Sequence, residues 1–105
     1  MADNYLEQFQ ETIGYHFRNS KFLLEALTHS SFAQESADRP RDNEQLEFLG
    51  DAVLGFVTSQ ALLERYPEFR EGQLSKLRAH LVSQKHLIQA AKKLKLGRFL
   101  RLGRG

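Results

Sequence analysis

The chain has 105 residues, 41% hydrophobic and 27% charged, a balance that excludes a disordered tail and leaves room for one modest domain. Fifteen Lys and Arg stand against 13 Asp and Glu, and the absence of Cys excludes a disulfide framework, a thiolate metal site and a cysteine nucleophile. No apolar run reaches the ~20 residues of a membrane span, and the start MADNYLEQFQ lacks a basic region ahead of an apolar core, so no membrane partner is expected and the cytoplasm is the expected location.

From Asn4 to Ile13 the residues Leu6, Phe9 and Ile13 recur at helical spacing and stop at Gly14. Asn19 or Ser20 caps a second helix with Phe22, Leu23, Ala26 and Leu27 on one face, ending near His29. Gln34 to Arg41 turns polar, contains a proline and reads as a surface loop. The longest helix is expected from about Asn43 to Tyr66, stopped by Pro67, with Asp42 and Gln45 placed for a capping box. Leu74, Leu77, Leu81 and Val82 mark a further helix over Glu71 to Val82. Ser83 caps the last one, which carries Leu87, Ile88, Ala91 and Leu94 and stops at Gly97. Strand-like alternation is nowhere sustained. The expected fold is all-α.

The net charge of +2 conceals a strong asymmetry. Residues 1–69 hold 5 basic and 12 acidic side chains, whereas residues 70–105 hold 10 basic and 1 acidic. A basic part of that strength points to a polyanion, and a divalent cation would reconcile phosphates with the acidic part.

The long helix sharpens this. At 100° per residue Glu44, Glu47 and Asp51 share a stripe about 60° wide. Leu46, Leu49, Val53, Phe56 and Val57 form the opposite side, which is expected to face the core. The macrodipole alone accounts for acids in the first turn. Asp51 lies beyond that turn and follows Gly50, which costs ~1 kcal/mol relative to Ala inside a helix. Glu47 and Asp51, about 6 Å apart and expected to be partly buried, would repel by about 2–3 kcal/mol. Bound Mg²⁺ would remove that repulsion. Phe48 projects beside the stripe, away from the apolar side, as an anchor for a partner would. Gly55, Thr58 and Ser59 continue this side with small residues suited to close self-association.

Asn43 to Leu54, NEQLEFLGDAVL, resembles the signature motif of the ribonuclease III family. ALTHSS at residues 26–31 and EGQLSKLRA at residues 71–79 resemble its flanking segments, and the resemblance runs from about Phe9 through Gly105. Gln45 departs from the basic residue of many relatives. The resemblance implies an all-helical endonuclease that hydrolyses double-stranded RNA with Mg²⁺, or Mn²⁺ as substitute, usually as a homodimer and in RNA processing, ribosomal RNA included.

Residue by residue, it makes Glu47 and Asp51 catalytic metal ligands. Glu44 and Glu71 become secondary acids near the RNA or the dimer axis, and Phe48 the aromatic inserted into the partner subunit. The family completes its acids with an Asp and a Glu on a later helix, and no acid follows Glu71 here. Residues 1–105 are therefore expected to be a partial endonuclease domain, incomplete at the C-terminus, without the double-stranded-RNA-binding domain and inactive alone. The alternative is a non-catalytic RNA-binding or dimerisation module of the same fold.

Lys92, Lys93, Lys95, Arg98, Arg101 and Arg104 are the candidates for RNA-backbone contact, reading charge and duplex shape rather than sequence. His16, His29, His80 and His86 lack metal-ligand spacing and are expected to cap or pack.

Overall fold

The computed structural model describes residues 2–105. Its six α-helices are α1 (Ala2–Ile13), α2 (Ser20–Ala26), α3 (Ser30–Glu35), α4 (Glu44–Arg65), α5 (Glu71–Leu81) and α6 (Gln84–Lys93). A 3₁₀ turn at Leu96–Arg98 follows, and no strand occurs among the described residues. The all-α expectation holds.

Helix ends follow local chemistry. Gly14, at φ +72°, closes α1, and its N–H donates to the Gln10 carbonyl at 2.9 Å. The half-buried Phe17 then returns its N–H to the buried Gln10 side chain at 2.6 Å, folding the connector back on α1. Asn19 caps α2 by accepting the Lys21 N–H at 3.0 Å. The sequence reading missed α3, only six residues long, because it is too short to display a period. His29 caps it, its Nδ1 accepting the Ser31 N–H at 3.1 Å.

Two further expectations are corrected. The last helix stops at Lys93 rather than Gly97: Lys95 takes the left-handed conformation, and Gly97 lies inside the 3₁₀ turn. No capping box forms at α4, because Gln45 accepts from Arg41 instead of reaching back to the cap.

The core is small and lies at one end. Phe9, Leu23, Leu27 and Phe99 form it, with Tyr5, Leu6, Ile13, Phe17, Leu96 and Leu100 packed around them. The Phe99 ring meets Phe9 edge-on at 5.1 Å and Tyr5 at 5.9 Å, so the segment after α6 closes over α1 and α2. Burial pushes the Tyr5 hydroxyl pKa up, partly offset by the charge of Arg101.

The remaining helices extend away from this core. α4 packs on α5, and α5 on α6. The resulting radius of gyration, 16.4 Å, exceeds the about 13 Å of a compact domain of this length. The elongated shape reflects an uncovered helix face: Leu49, Val53, Phe56 and Val57, expected in the core, are all exposed in this chain. α5 instead lies beside Ser59 and the buried Leu62, with Arg78 donating to Ser59 Oγ at 2.9 Å. Of the small residues expected to suit self-association, Ser59 thus receives α5 of the same chain, whereas a Cβ at Gly55 would meet nothing within 4 Å.

α4 also meets the length and composition of a membrane span, with mean hydropathy 1.3 over its most apolar window, which a search for uninterrupted runs overlooks. It nevertheless carries Glu44, Glu47 and Asp51 near its start and packs against α5 along its second half.

A strap from Leu100 to Gly105 crosses α3. The Gly103 N–H donates to Ser31 Oγ at 2.9 Å, and Glu35 accepts the N–H groups of Arg104 and Gly105 at 3.0 and 3.3 Å. A Cβ on Gly103 would meet Glu35 Oε2 and stand 2.7 Å from the Ser31 carbonyl oxygen. Glu35 can swing aside, whereas the α3 backbone cannot. Gly103→Ala is expected to cost about 1–3 kcal/mol, the range for forcing one carbon into an occupied space. Thermal unfolding checks this, and an unchanged midpoint refutes it.

Candidate metal and nucleic-acid site

α4 is about 33 Å long, and α5, at about 16 Å, covers only its second half. The first half therefore keeps its acidic side open. Glu44, Glu47 and Asp51 are exposed there and line one cleft of about 570 Å³ with Phe48, Gly50, Leu54 and, from α6, Leu87. The shared stripe read from helical spacing is thus a shared surface. The expected partial burial of Glu47 and Asp51 is not found; in the open, like charges one turn apart repel by only about 0.2–0.5 kcal/mol.

Phe48 is 85% exposed at the cleft wall, without a packing role in its own chain. A Cβ at Gly50 would meet nothing within 4 Å, so packing within this chain does not demand glycine there.

The start of α4 is held by α2. The Asn43 N–H donates to the Thr28 carbonyl at 2.9 Å, and Asn43 Nδ2 to the Ala26 carbonyl at 3.0 Å. Asn43 therefore does not cap α4. Asp42 Oδ1 accepts the Glu44 N–H at 3.1 Å in its place. Arg41 reaches back to Glu25 at 3.3 Å, adding an ion pair between the loop and α2.

Glu71 stands apart from these acids. It opens α5 and lines a different cleft with Ser59, Leu62, Leu63, Leu74, Ser75 and Arg78, beside the second half of α4. A single copy does not bring Glu44 and Glu71 into one cleft. Among the described residues no group of three Asp, Glu, His or Cys side chains could hold a metal ion. Glu47 and Asp51 are a two-carboxylate oxygen donor set, which fits a hard cation that retains several waters.

The basic candidates divide. Lys92, Lys95 and Arg98 rim a shallow cleft floored by Ile88 and Ala91, and Lys93 and Arg104 are also exposed. Arg101 is half-buried: its Nε donates to Thr28 Oγ1 at 2.9 Å, and its guanidinium lies 4.5 Å from the Phe32 ring centre. A guanidinium so engaged stands apart from the exposed basic candidates. Lys85, which the sequence reading missed, shares a cleft with Lys92; their seven-residue spacing was the available clue.

The histidines have local roles. His16 lies 3.6 Å from Glu7, His80 and His86 stack edge-on at 4.4 Å, and His86 pairs with Ser83 Oγ at 3.1 Å.

Residues 19–105 match the family model described as Ribonuclease-III-like. The chain belongs to the ribonuclease III family. It is 50% identical over 98 residues to Ribonuclease 3 of Desulfotalea psychrophila, covering 93% of this chain and 41% of that protein. Ribonuclease 3 of Symbiobacterium thermophilum is 52% identical over 95 residues, covering 90% and 40%. The chain thus spans about two fifths of the length of these curated relatives. A solved nuclease domain of ribonuclease III from Campylobacter jejuni, described for structural flexibility in a region involved in dimer formation, superposes with a TM-score of 0.84 at 39% identity. That match covers 94% of this chain and 66% of the solved one. In this chain Glu44, Glu47 and Asp51 all lie on α4.

Proposed function

We propose that this chain supplies the α4 part of a metal-dependent centre hydrolysing phosphodiester bonds in double-stranded RNA, for RNA processing in the cytoplasm. The observation carrying this reading is the joint exposure of Glu44, Glu47 and Asp51 in one cleft of a ribonuclease III fold. Glu47 and Asp51 would hold Mg²⁺ or Mn²⁺. When bound, the ion supplies Lewis-acid polarisation of a phosphate oxygen and lowers the pKa of an attacking water. Glu44 adds negative charge at the cleft edge, and Leu87 contributes an apolar patch to the lining.

Lys85, Lys92, Lys95 and Arg98, with the exposed Lys93 and Arg104, attract the phosphate backbone, an interaction that weakens steeply with salt. Phe48 anchors a second copy of the chain in a homodimer. Two carboxylates alone leave the centre incomplete, so this chain by itself is expected not to cleave duplex RNA.

Calorimetric titration with Mn²⁺ tests the centre. Binding by the parent chain should weaken about 10- to 100-fold in Asp51→Asn and in Glu47→Gln, at least the loss expected when a residue supporting a metal site is removed. Equal binding by parent and variants would place the metal elsewhere. Cleavage of duplex RNA by the parent chain alone would refute the reading that two carboxylates leave the centre incomplete.

A further inference from the structure

Thr28 is 0% exposed, and each of its polar groups is engaged. Its N–H donates to the Glu25 carbonyl at 3.2 Å, and its hydroxyl donates to the Leu24 carbonyl at 2.6 Å. The same hydroxyl accepts Arg101 Nε at 2.9 Å, and the Thr28 carbonyl accepts the Asn43 N–H at 2.9 Å. One buried residue therefore joins the end of α2, the strap after the 3₁₀ turn and the residue preceding α4.

Arg101 grips this junction on both sides of Thr28. Its N–H donates to the Leu27 carbonyl at 2.7 Å, and its carbonyl accepts the His29 N–H at 3.0 Å. Thr28 and Arg101 form an isolated parallel bridge, with Phe32 under the guanidinium. On the opposite side the Ala26 carbonyl accepts from Asn43 Nδ2 and the Thr28 carbonyl from the Asn43 backbone N–H, and the Asn43 carbonyl takes the Glu47 N–H at 2.8 Å. The connection from Arg101 to the backbone of Glu47 is thus an unbroken series of hydrogen bonds through Thr28 and Asn43.

We infer that Arg101 is a positioning residue, which acts through Thr28 to fix the first turn of α4 and with it the orientation of Glu44 and Glu47. This deepens the proposed function and rests on it for the role of the carboxylates. A site of this kind tolerates only small errors of placement, so a buried polar junction one residue before it is a direct control on its geometry. It also explains an arginine that stands apart from the exposed basic candidates: a half-buried guanidinium fixed by Thr28 and Phe32 holds its partner in place, whereas a flexible lysine presents no such planar fork.

Two readouts on the 105-residue chain test this. Thr28→Val keeps the shape and removes the hydroxyl, Thr28→Ser keeps the hydroxyl, and Arg101→Ala removes the donor while leaving Thr28 intact. Amide hydrogen exchange should accelerate about tenfold at Asn43 and Glu47 in Thr28→Val and Arg101→Ala, relative to Leu87 and Leu94 in the α6 region, on the scale of one lost charge-assisted hydrogen bond. Thr28→Ser should match the parent. Mn²⁺ affinity should fall severalfold in the same two variants and recover in Thr28→Ser.

Uniform acceleration along the chain, or unchanged exchange at Asn43 and Glu47, overturns the positioning role. If Thr28→Val does not fold, Arg101→Ala decides by the same comparison. A parent chain that binds no Mn²⁺ removes the metal reading of Glu47 and Asp51, while the exchange pattern still decides whether Arg101 holds α4.

Discussion

Phe99→Ala is expected to erase most or all of the cooperative unfolding transition, whereas Phe56→Ala should remain within about 0.5 kcal/mol of the parent chain. Phe99 is 5% exposed and its ring contacts both Phe9 and Tyr5, so truncation opens the middle of a core formed by four buried side chains. Phe-to-Ala changes in such positions cost about 3–5 kcal/mol. A domain of this length has about 5–15 kcal/mol in total, and this one leaves the long apolar side of α4 without stabilising contacts. Phe56 lies on that side and is 70% exposed, so its ring loses few contacts on truncation. Urea denaturation followed by far-ultraviolet circular dichroism distinguishes the two. Equal losses would mean that α4 buries its apolar side in solution.

The contrast between these phenylalanines shows what was legible in the sequence. Gly14 and Pro67 stop helices for local reasons, so the ends of α1 and α4 were readable. The acid stripe of Glu44, Glu47 and Asp51 was readable because helical geometry alone puts those residues on one side. Which side of α4 is covered was not readable. Periodicity marks Leu49, Val53, Phe56 and Val57 as an apolar stripe, but coverage depends on where neighbouring helices lie, and α5 lies beside Ser59 and Leu62.

The role of Arg101 was hidden for a similar reason. Its charge and its place in a basic segment are local facts, whereas its bond to Thr28 joins positions 73 residues apart. Asn43 read only as the approximate start of α4, whereas the nearby Ala26 and Thr28 carbonyls claim its donors. Local chemistry predicts how elements begin and end. Partners distant in sequence decide which polar groups remain free for a ligand.

Phe48→Ala should produce the largest effect on the proposed homodimer. An aromatic ring 85% exposed at the wall of an acidic cleft has almost no partner in its own chain, so its truncation should leave the monomer's stability within about 0.5 kcal/mol. Burying such a ring in a second copy contributes about 1.5–3 kcal/mol. Twofold symmetry counts the contact twice, so the loss is about 3–6 kcal/mol. At about 1.4 kcal/mol per decade, the dimer dissociation constant should rise about 10²- to 10⁴-fold. Sedimentation velocity over a concentration series measures this directly.

The driving force for that contact is apolar, so dimerisation of the parent chain should change little between low and moderate salt. Association bridged by RNA through Lys92, Lys95 and Arg98 would instead collapse over the same range. Phe48→Leu should recover much of the affinity because it restores apolar area without the ring. An unchanged sedimentation profile in Phe48→Ala would show that the ring does not carry the interface, leaving its exposure beside Glu47 and Asp51 to be explained by contact with the nucleic acid.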